Sequence, residues 1–170
     1  MIIFIDIDGP LAWGTWERGR VEIAEGTWNG LTIPYGWVEE DCAALAEIMR
    51  QTGAYLVVSS DWKLHYGLGQ LKLIFDHYGI PRWDVIDTTP NHNPKAKMSR
   101  FGEWNRACQI YHWVKLFKPR KWIAIDDMSL GHSFKELRIP QWRHVQVDGD
   151  FGRGGRLRDK VEECVSKLNR

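Results

Sequence analysis

Residues 1–10 read MIIFIDIDGP, and the fold turns on how they are understood. Ile2 to Ile5 form a short unbroken apolar run, the pattern of a strand buried on both faces. Gly9-Pro10 breaks it. Between the run and the break stand Asp6 and Asp8, separated by a single isoleucine. Like charges so close repel, and they are tolerated when a cation or a shared proton lies between them. A strand buried on both faces needs parallel neighbours at its edges and helices above and below.

Working outward, the neighbours can be found. YLVV (55–58) is a second apolar run and ends at Ser59-Ser60. WDVID (83–87) is a shorter third strand, placed nearer an edge, KWIAIDD (121–127) a fourth ending at Asp126-Asp127, and HVQVD (144–148) a fifth. Between them the period changes. VEEDCAALAEIMRQTG (38–53) predicts a helix with Ala43, Leu45, Ala46, Ile48 and Met49 on its apolar face and Gly53 as its stop. A second helix runs through Leu68, Leu71, Ile74 and Phe75 to Gly79, a third over about 101–117, and an amphipathic helix over 157–168. Strands alternating with helices predict an α/β fold: a doubly wound, Rossmann-like parallel sheet of five strands with helices on both faces. Residues 11–35 are broken by Gly14, Gly19, Gly26 and Asn29-Gly30, which suits a small flap hairpin and leaves no room for a large cap domain.

The length of 170 residues fits one domain over 1–170. A net charge of +1 gives no global electrostatic case for nucleic acid or membrane. Cys42, Cys108 and Cys164 lie far apart with no CxxC pair, so neither zinc nor a disulfide framework is indicated. No run approaches the roughly 18–20 apolar residues of a membrane span, and the expected compartment is reducing and cytoplasmic.

Ligands of doubly wound sheets bind outside the carboxyl ends of the strands. Asp6 and Asp8, Ser59 and Ser60, and Asp126 and Asp127 all fall at such ends. Any one acid there reads as a turn former or helix cap. Three acid or hydroxyl pairs at three strand ends read as a site. Four carboxylates on one rim call for a hard cation, and magnesium, which prefers oxygen ligands and keeps several waters, is the simplest one. The serine hydroxyls offer donors to a phosphate oxygen. Asp61 is placed as the cap of the helix after the second strand. Trp62 either walls a phosphate pocket or anchors that helix to the sheet. Trp37, Trp83, Trp104, Trp113, Trp122 and Trp142 fit core or helix–sheet packing.

The set D-I-D-G (6–9), S-S (59–60) and D-D (126–127), in this order, resembles the signature of the haloacid dehalogenase (HAD)-like superfamily of phosphohydrolases. SSDWK (59–63), the DTTP loop (87–90), RFGEW (100–104) and VQVDGDFGRGGRL (145–157) extend the likeness to the HAD domain of Swiss Army Knife RNA repair proteins. The resemblance implies that Asp6 attacks phosphorus to form an aspartyl-phosphate, and that Asp8 protonates the leaving alcohol and then activates water. It implies Mg2+ held by Asp6, the backbone carbonyl of Asp8, Asp126 and Asp127. It assigns a phosphate oxygen to Ser59, with Ser60 the alternative, and a stabilising cation to Arg100, with Lys63 the alternative.

The substrate expected from an uncapped site is a phosphorylated group that covers the site itself, such as an RNA or DNA end or a nucleotide. Trp13 and Trp16, interleaved with Arg18 and Arg20 in the flap, either stack a base or staple the hairpin to the body. The glycine-rich GRGGR (152–156) either cradles a phosphate or forms an ordinary turn. A metal-dependent nuclease and a non-catalytic binding module with the same fold are the competing readings.

Overall fold

The computed structural model describes residues 1–12, 24–28, 30–34, 36–91, 102–148 and 156–170, with the backbone course alone for 24–28 and 34. Five parallel strands make the sheet: β1 (Ile2–Ile5), β4 (Tyr55–Val58), β5 (Val85–Thr88), β6 (Trp122–Asp126) and β7 (His144–Gln146). Their order is β5-β4-β1-β6-β7, so the strand carrying the two aspartates is central and β5 is an edge, as expected. A separate antiparallel hairpin pairs β2 (Ala24–Trp28) with β3 (Leu31–Pro34), with Trp28 opposite Leu31.

The alternation of side chains along β1 shows why helices cover both faces. Ile3 and Ile5 enter one core with Leu45 and Ile48 of α1 (Glu39–Thr52), Leu71 and Phe75 of α2 (Leu68–His77) and Leu168 of α5 (Val161–Asn169). Ile2 and Phe4 enter a second core with Ala107, Ile110 and Trp113 of α3 (Gly102–Phe117) and Phe134 of α4 (Gly131–Glu136). Phe4 meets Trp113 and Trp122 edge to face at 5.3 and 5.4 Å. Helix α1 ends where expected, with Gly53 at φ 64° donating its N–H to the Met49 carbonyl at 2.7 Å.

Register does the positioning. Ile5 pairs with Val58 on one side and Ile125 on the other. The Ser59 amide donates to the Ile5 carbonyl at 2.8 Å and the Asp6 amide to the Ile125 carbonyl at 3.0 Å. Asp6, Ser59 and Asp126 therefore stand side by side on one rim.

One expectation is corrected, and one element is new. Trp83 is 71% exposed, with the Arg82 guanidinium 4.2 Å above its ring, because it precedes the edge strand and has no layer to pack under. Helix α4, only six residues long, was not anticipated: it is too short to show a helical period. Among the described residues no helix is long and apolar enough to cross a membrane.

The start of β7 carries a pH dependence. Burial pushes the His144 imidazole down to about 4, with Lys167 adding to the depression and backbone bonds to Asp126 and Met128 opposing it. The folded protein thus holds His144 neutral while the unfolded chain takes up a proton near 6.5, so its contribution is complete above pH 6.5 and is lost as pH falls toward 4. Between pH 7 and pH 5, urea unfolding of the wild type is expected to lose about 2 kcal/mol more than that of His144→Gln. Equal losses in the two proteins would remove His144 as the cause.

Candidate active site

After β1 the chain turns tightly: the Gly9 amide donates to the Ala12 carbonyl at 2.8 Å, and the amides of Leu11 and Ala12 both donate to the Ile7 carbonyl at 2.9 Å. Gly9 has φ 92°, and a Cβ built on it would lie 2.7 Å from Cβ and Cγ of Asp127. Glycine is required twice over here, by backbone conformation and by the close approach of the β6 loop.

The Asp6 carboxylate is held from both sides. Asp6 is 4% exposed. Its Oδ1 accepts the Ile7 amide at 2.8 Å, and its Oδ2 lies 2.8 Å from Nη1 of Arg106. The same Nη1 reaches Oδ2 of Asp126 at 2.7 Å, while Oδ1 of Asp126 accepts the Met128 amide at 3.0 Å. Burial lowers and the Asp6 and Asp126 carboxylates raise the Arg106 pKa; the carboxylates prevail and the guanidinium stays charged. Burial drives the pKa of Asp126 well up despite Arg106, and burial with the nearby Asp6 charge raises that of half-buried Asp127.

Arg106 is the residue that sequence reasoning missed, and a signal for it existed. Arg106, Ile110 and Trp113 recur at the spacing of one helical face, and all three are buried. A charged residue on an otherwise apolar stripe is one that must find a charged partner inside. Arg100, expected in this role, lies outside the described residues. So do Trp13 and Trp16.

Asp8 differs from Asp6 in every respect that matters chemically. Its Oδ2 accepts the indole N–H of Trp62 at 3.0 Å, and its Oδ1 is buried without a hydrogen-bond partner. Burial, opposed by the Trp62 bond and aided by the charges of Asp6 and Asp127, pushes its pKa up to about 7. Trp62 itself is 2% exposed, edge-on to Trp37 at 5.6 Å and stacked on Tyr66 at 5.5 Å. Of its two readings, anchoring by packing is the one displayed, and its grip on Asp8 is an addition.

The β4 end divides its two serines. Ser60, in extended conformation, is the cap of the 3-10 turn over Asp61–Leu64, its Oγ accepting the Trp62 amide at 3.4 Å. The cap expected at Asp61 thus falls one residue earlier, because Asp61 already lies inside the turn. Ser59 Oγ is buried and, among the described residues, has no hydrogen-bond partner, which leaves its donor for a ligand. Lys63 is nearly buried, donating to Thr89 Oγ1 at 3.2 Å and Gln109 Oε1 at 2.7 Å. Burial, then the Arg106 charge, lowers its pKa to about 8. Arg156, from the glycine-rich stretch, places Nη1 3.5 Å from the Gly9 carbonyl, with Nε and Nη2 buried and unpartnered.

A divalent cation fits this rim. One carboxylate oxygen from each of Asp6, Asp126 and Asp127 lies within 4.8 Å of the others. The donors are oxygens only, the set preferred by magnesium. Three carboxylates face one guanidinium, which reaches only two of them, so Arg106 alone does not neutralise the cluster.

A family model described as the HAD domain in Swiss Army Knife RNA repair proteins matches residues 2–152. No curated protein and no solved structure matches the chain.

Proposed function

Since the chain belongs to the family of HAD domains found in Swiss Army Knife RNA repair proteins, we propose that it is a magnesium-dependent phosphohydrolase that removes phosphate from a nucleic-acid end or nucleotide. One observation carries this reading: two aspartates of one strand end are held in opposite ways. Asp6 is in direct contact with a guanidinium, whereas among the described residues Asp8 has no such contact and keeps one buried oxygen without a hydrogen bond.

Asp6 attacks phosphorus in line with the ester oxygen, forming an acyl phosphate as the bond from phosphorus to the leaving oxygen breaks. Asp8, protonated at a pH near its own pKa of about 7, gives the leaving alcohol its proton. The resulting carboxylate then takes a proton from water as that water attacks the acyl phosphate and frees Asp6. The indole N–H of Trp62 is a donor only, so Oδ2 of Asp8 must accept, and Oδ1 is the oxygen that carries the proton. Ser59 Oγ donates to a non-bridging phosphate oxygen. Arg106 limits the repulsion between Asp6 and the incoming dianion, and the Lys63 ammonium adds a second positive charge. When bound, magnesium offsets the charge of the phosphoryl group, with Asp6, Asp126, Asp127 and the carbonyl of Asp8 to hold it. Nucleic acid is preferred as substrate because the hairpin β2–β3 is too small to enclose a small molecule and because of the family's description. The three free, buried cysteines suit a reducing, cytoplasmic setting.

Phosphate release from an aryl phosphate, with and without magnesium, tests the reading. Wild type should turn over only with the metal. Asp6→Asn should lose on the order of 10^4-fold or more. Asp8→Asn should lose about 10^2-fold, less than with an alkyl phosphate because an aryl oxide leaves without much help from a proton. Turnover that survives Asp6→Asn would favour a nuclease-type site without a covalent step, and absence of turnover in wild type a binding module.

A further inference from the structure

The end of the sheet remote from the catalytic rim carries a different surface. Backbone bonds lace the strand starts into one row there: the Leu56 amide donates to the Asp84 carbonyl at 2.7 Å, the Tyr55 amide to the Met1 carbonyl at 2.9 Å and the Ile2 amide to the Lys121 carbonyl at 3.0 Å. Helix α3 runs into this row through KLFKPRK (115–121), which holds four cations, and no acid occurs between Glu103 and Asp126. Lys115 rests over the Tyr111 ring at 5.2 Å and Lys121 donates to the Asn169 carbonyl at 3.0 Å, while Lys118 and Arg120 are exposed. Among the described residues no carboxylate pairs with any of the four.

A helix C-terminus favours a nearby cation, because its last carbonyls carry partial negative charge. That accounts for Lys115 and Lys118 and leaves Arg120 and Lys121 over. Lys118 moreover closes α3 at φ 49°, where helices commonly stop on glycine, so a charged side chain is kept at a position that disfavours it. Apolar side chains are exposed at this same end. Leu116 is 74% exposed, Phe117 54% and Tyr55 47%, and Trp83 stands at the start of β5. Cations accompany the rings: Lys118 follows Phe117, and the Arg82 guanidinium covers Trp83.

We propose that this end of the sheet is a docking surface for a single-stranded nucleic acid, separate from the catalytic rim. Phe117 stacks on a base, Lys118 and Arg120 meet the phosphates beside it, and Tyr55 and Trp83 offer further faces along the row. Rings that alternate with cations match bases that alternate with phosphates, and every base has a face to stack. A bilayer asks for apolar side chains gathered on one face. Here they are divided among α3, β4 and the turn before β5, with charges between them. An acidic polypeptide would use the cations and leave the rings without partners.

The test is fluorescence anisotropy of a fluorescein-labelled oligouridylate of about 20 nucleotides, without magnesium, between about 50 and 200 mM salt. For wild type, log Kd should rise with log salt at a slope of about 3, roughly 0.7 for each of the four cations. The double variant Lys118→Ala/Arg120→Ala should lose about half of that slope and bind at least about tenfold more weakly at the lowest salt. Phe117→Ala should bind about tenfold more weakly with the slope unchanged. All three side chains are exposed, so melting temperatures and aryl phosphate turnover should stay at the wild-type values. Absence of binding by wild type, equal binding by the double variant, polyglutamate competing as well as unlabelled oligouridylate, or a preference for phosphatidylserine vesicles would overturn the proposal. So would binding that responds to Asp6→Asn and not to the double variant, since the strand would then lie at the rim. Because binding is read without turnover, a wild type that binds the strand but hydrolyses no phosphate would overturn the phosphohydrolase reading and leave this one standing.

Discussion

Arg106→Ala is expected to lower the melting temperature by about 10 °C and turnover by on the order of 10^3-fold. The stability loss follows from burial: Asp6 and Asp126 share one guanidinium nitrogen, at 2.8 and 2.7 Å, in a place that is 5% exposed. Removing one partner of a buried ion group leaves uncompensated charge and costs about 3–5 kcal/mol. A degree or more of melting temperature goes with each few tenths of a kcal/mol in a chain of this size. The catalytic loss follows, under the proposed mechanism, from the missing positive charge where phosphoryl oxygens would gather. Added magnesium should raise the melting temperature of the variant more than that of wild type, because the ion and the guanidinium relieve the same carboxylates. Arg106→Lys, with one charge but no planar fork, should fall between the two. A variant that melts and turns over like wild type would show the Arg106 contacts to be incidental.

The second large effect is expected at Gly9. In Gly9→Ala the new methyl would meet Cβ and Cγ of Asp127 at 2.7 Å, and these are not the far end of a flexible chain. The residue would also hold φ 92°, a region that alanine avoids. Together these should destabilise by about 2–4 kcal/mol. Relief requires the β6 loop to retreat, which moves Asp127 away from Asp6 and Asp126. The magnesium concentration for half-maximal phosphatase activity should therefore rise at least about tenfold, measured well below the melting temperature. Unchanged magnesium dependence in a folded Gly9→Ala protein would show that Asp127 is not held where the metal is needed.

The three central strands were legible because they are short, apolar on both faces and closed by polar pairs. Ile2–Ile5 and YLVV cannot be confused with amphipathic helices, and their register alone brings Asp6, Ser59 and Asp126 together. What failed depended on tertiary placement. Arg106 shares an apolar stripe with Ile110 and Trp113, but the carboxylates it meets come into view only when α3 is laid on the sheet. Ser60 and Asp61 are both good caps, and the choice between them falls to whichever is extended: Ser60, at φ −134° and ψ 157°. Trp83 reads as core by composition and is exposed by its position before an edge strand. The role of Trp62 was hidden because an indole hydrogen bond joining positions 62 and 8 leaves no trace in local pattern.

The central place of β1 has a consequence for biogenesis. Ile2 pairs with Trp122, so one edge of an entirely apolar strand waits roughly 120 residues for its neighbour. On the ribosome, the nascent chain displays that edge until β6 emerges, and it is during this interval that the protein is most exposed to aggregation and most in need of a holding chaperone. The same delay means that a chain cut before β6 carries both aspartates, both serines and Arg106 but lacks the strand that sets them against Asp126, and so contains the motif without the assembled rim.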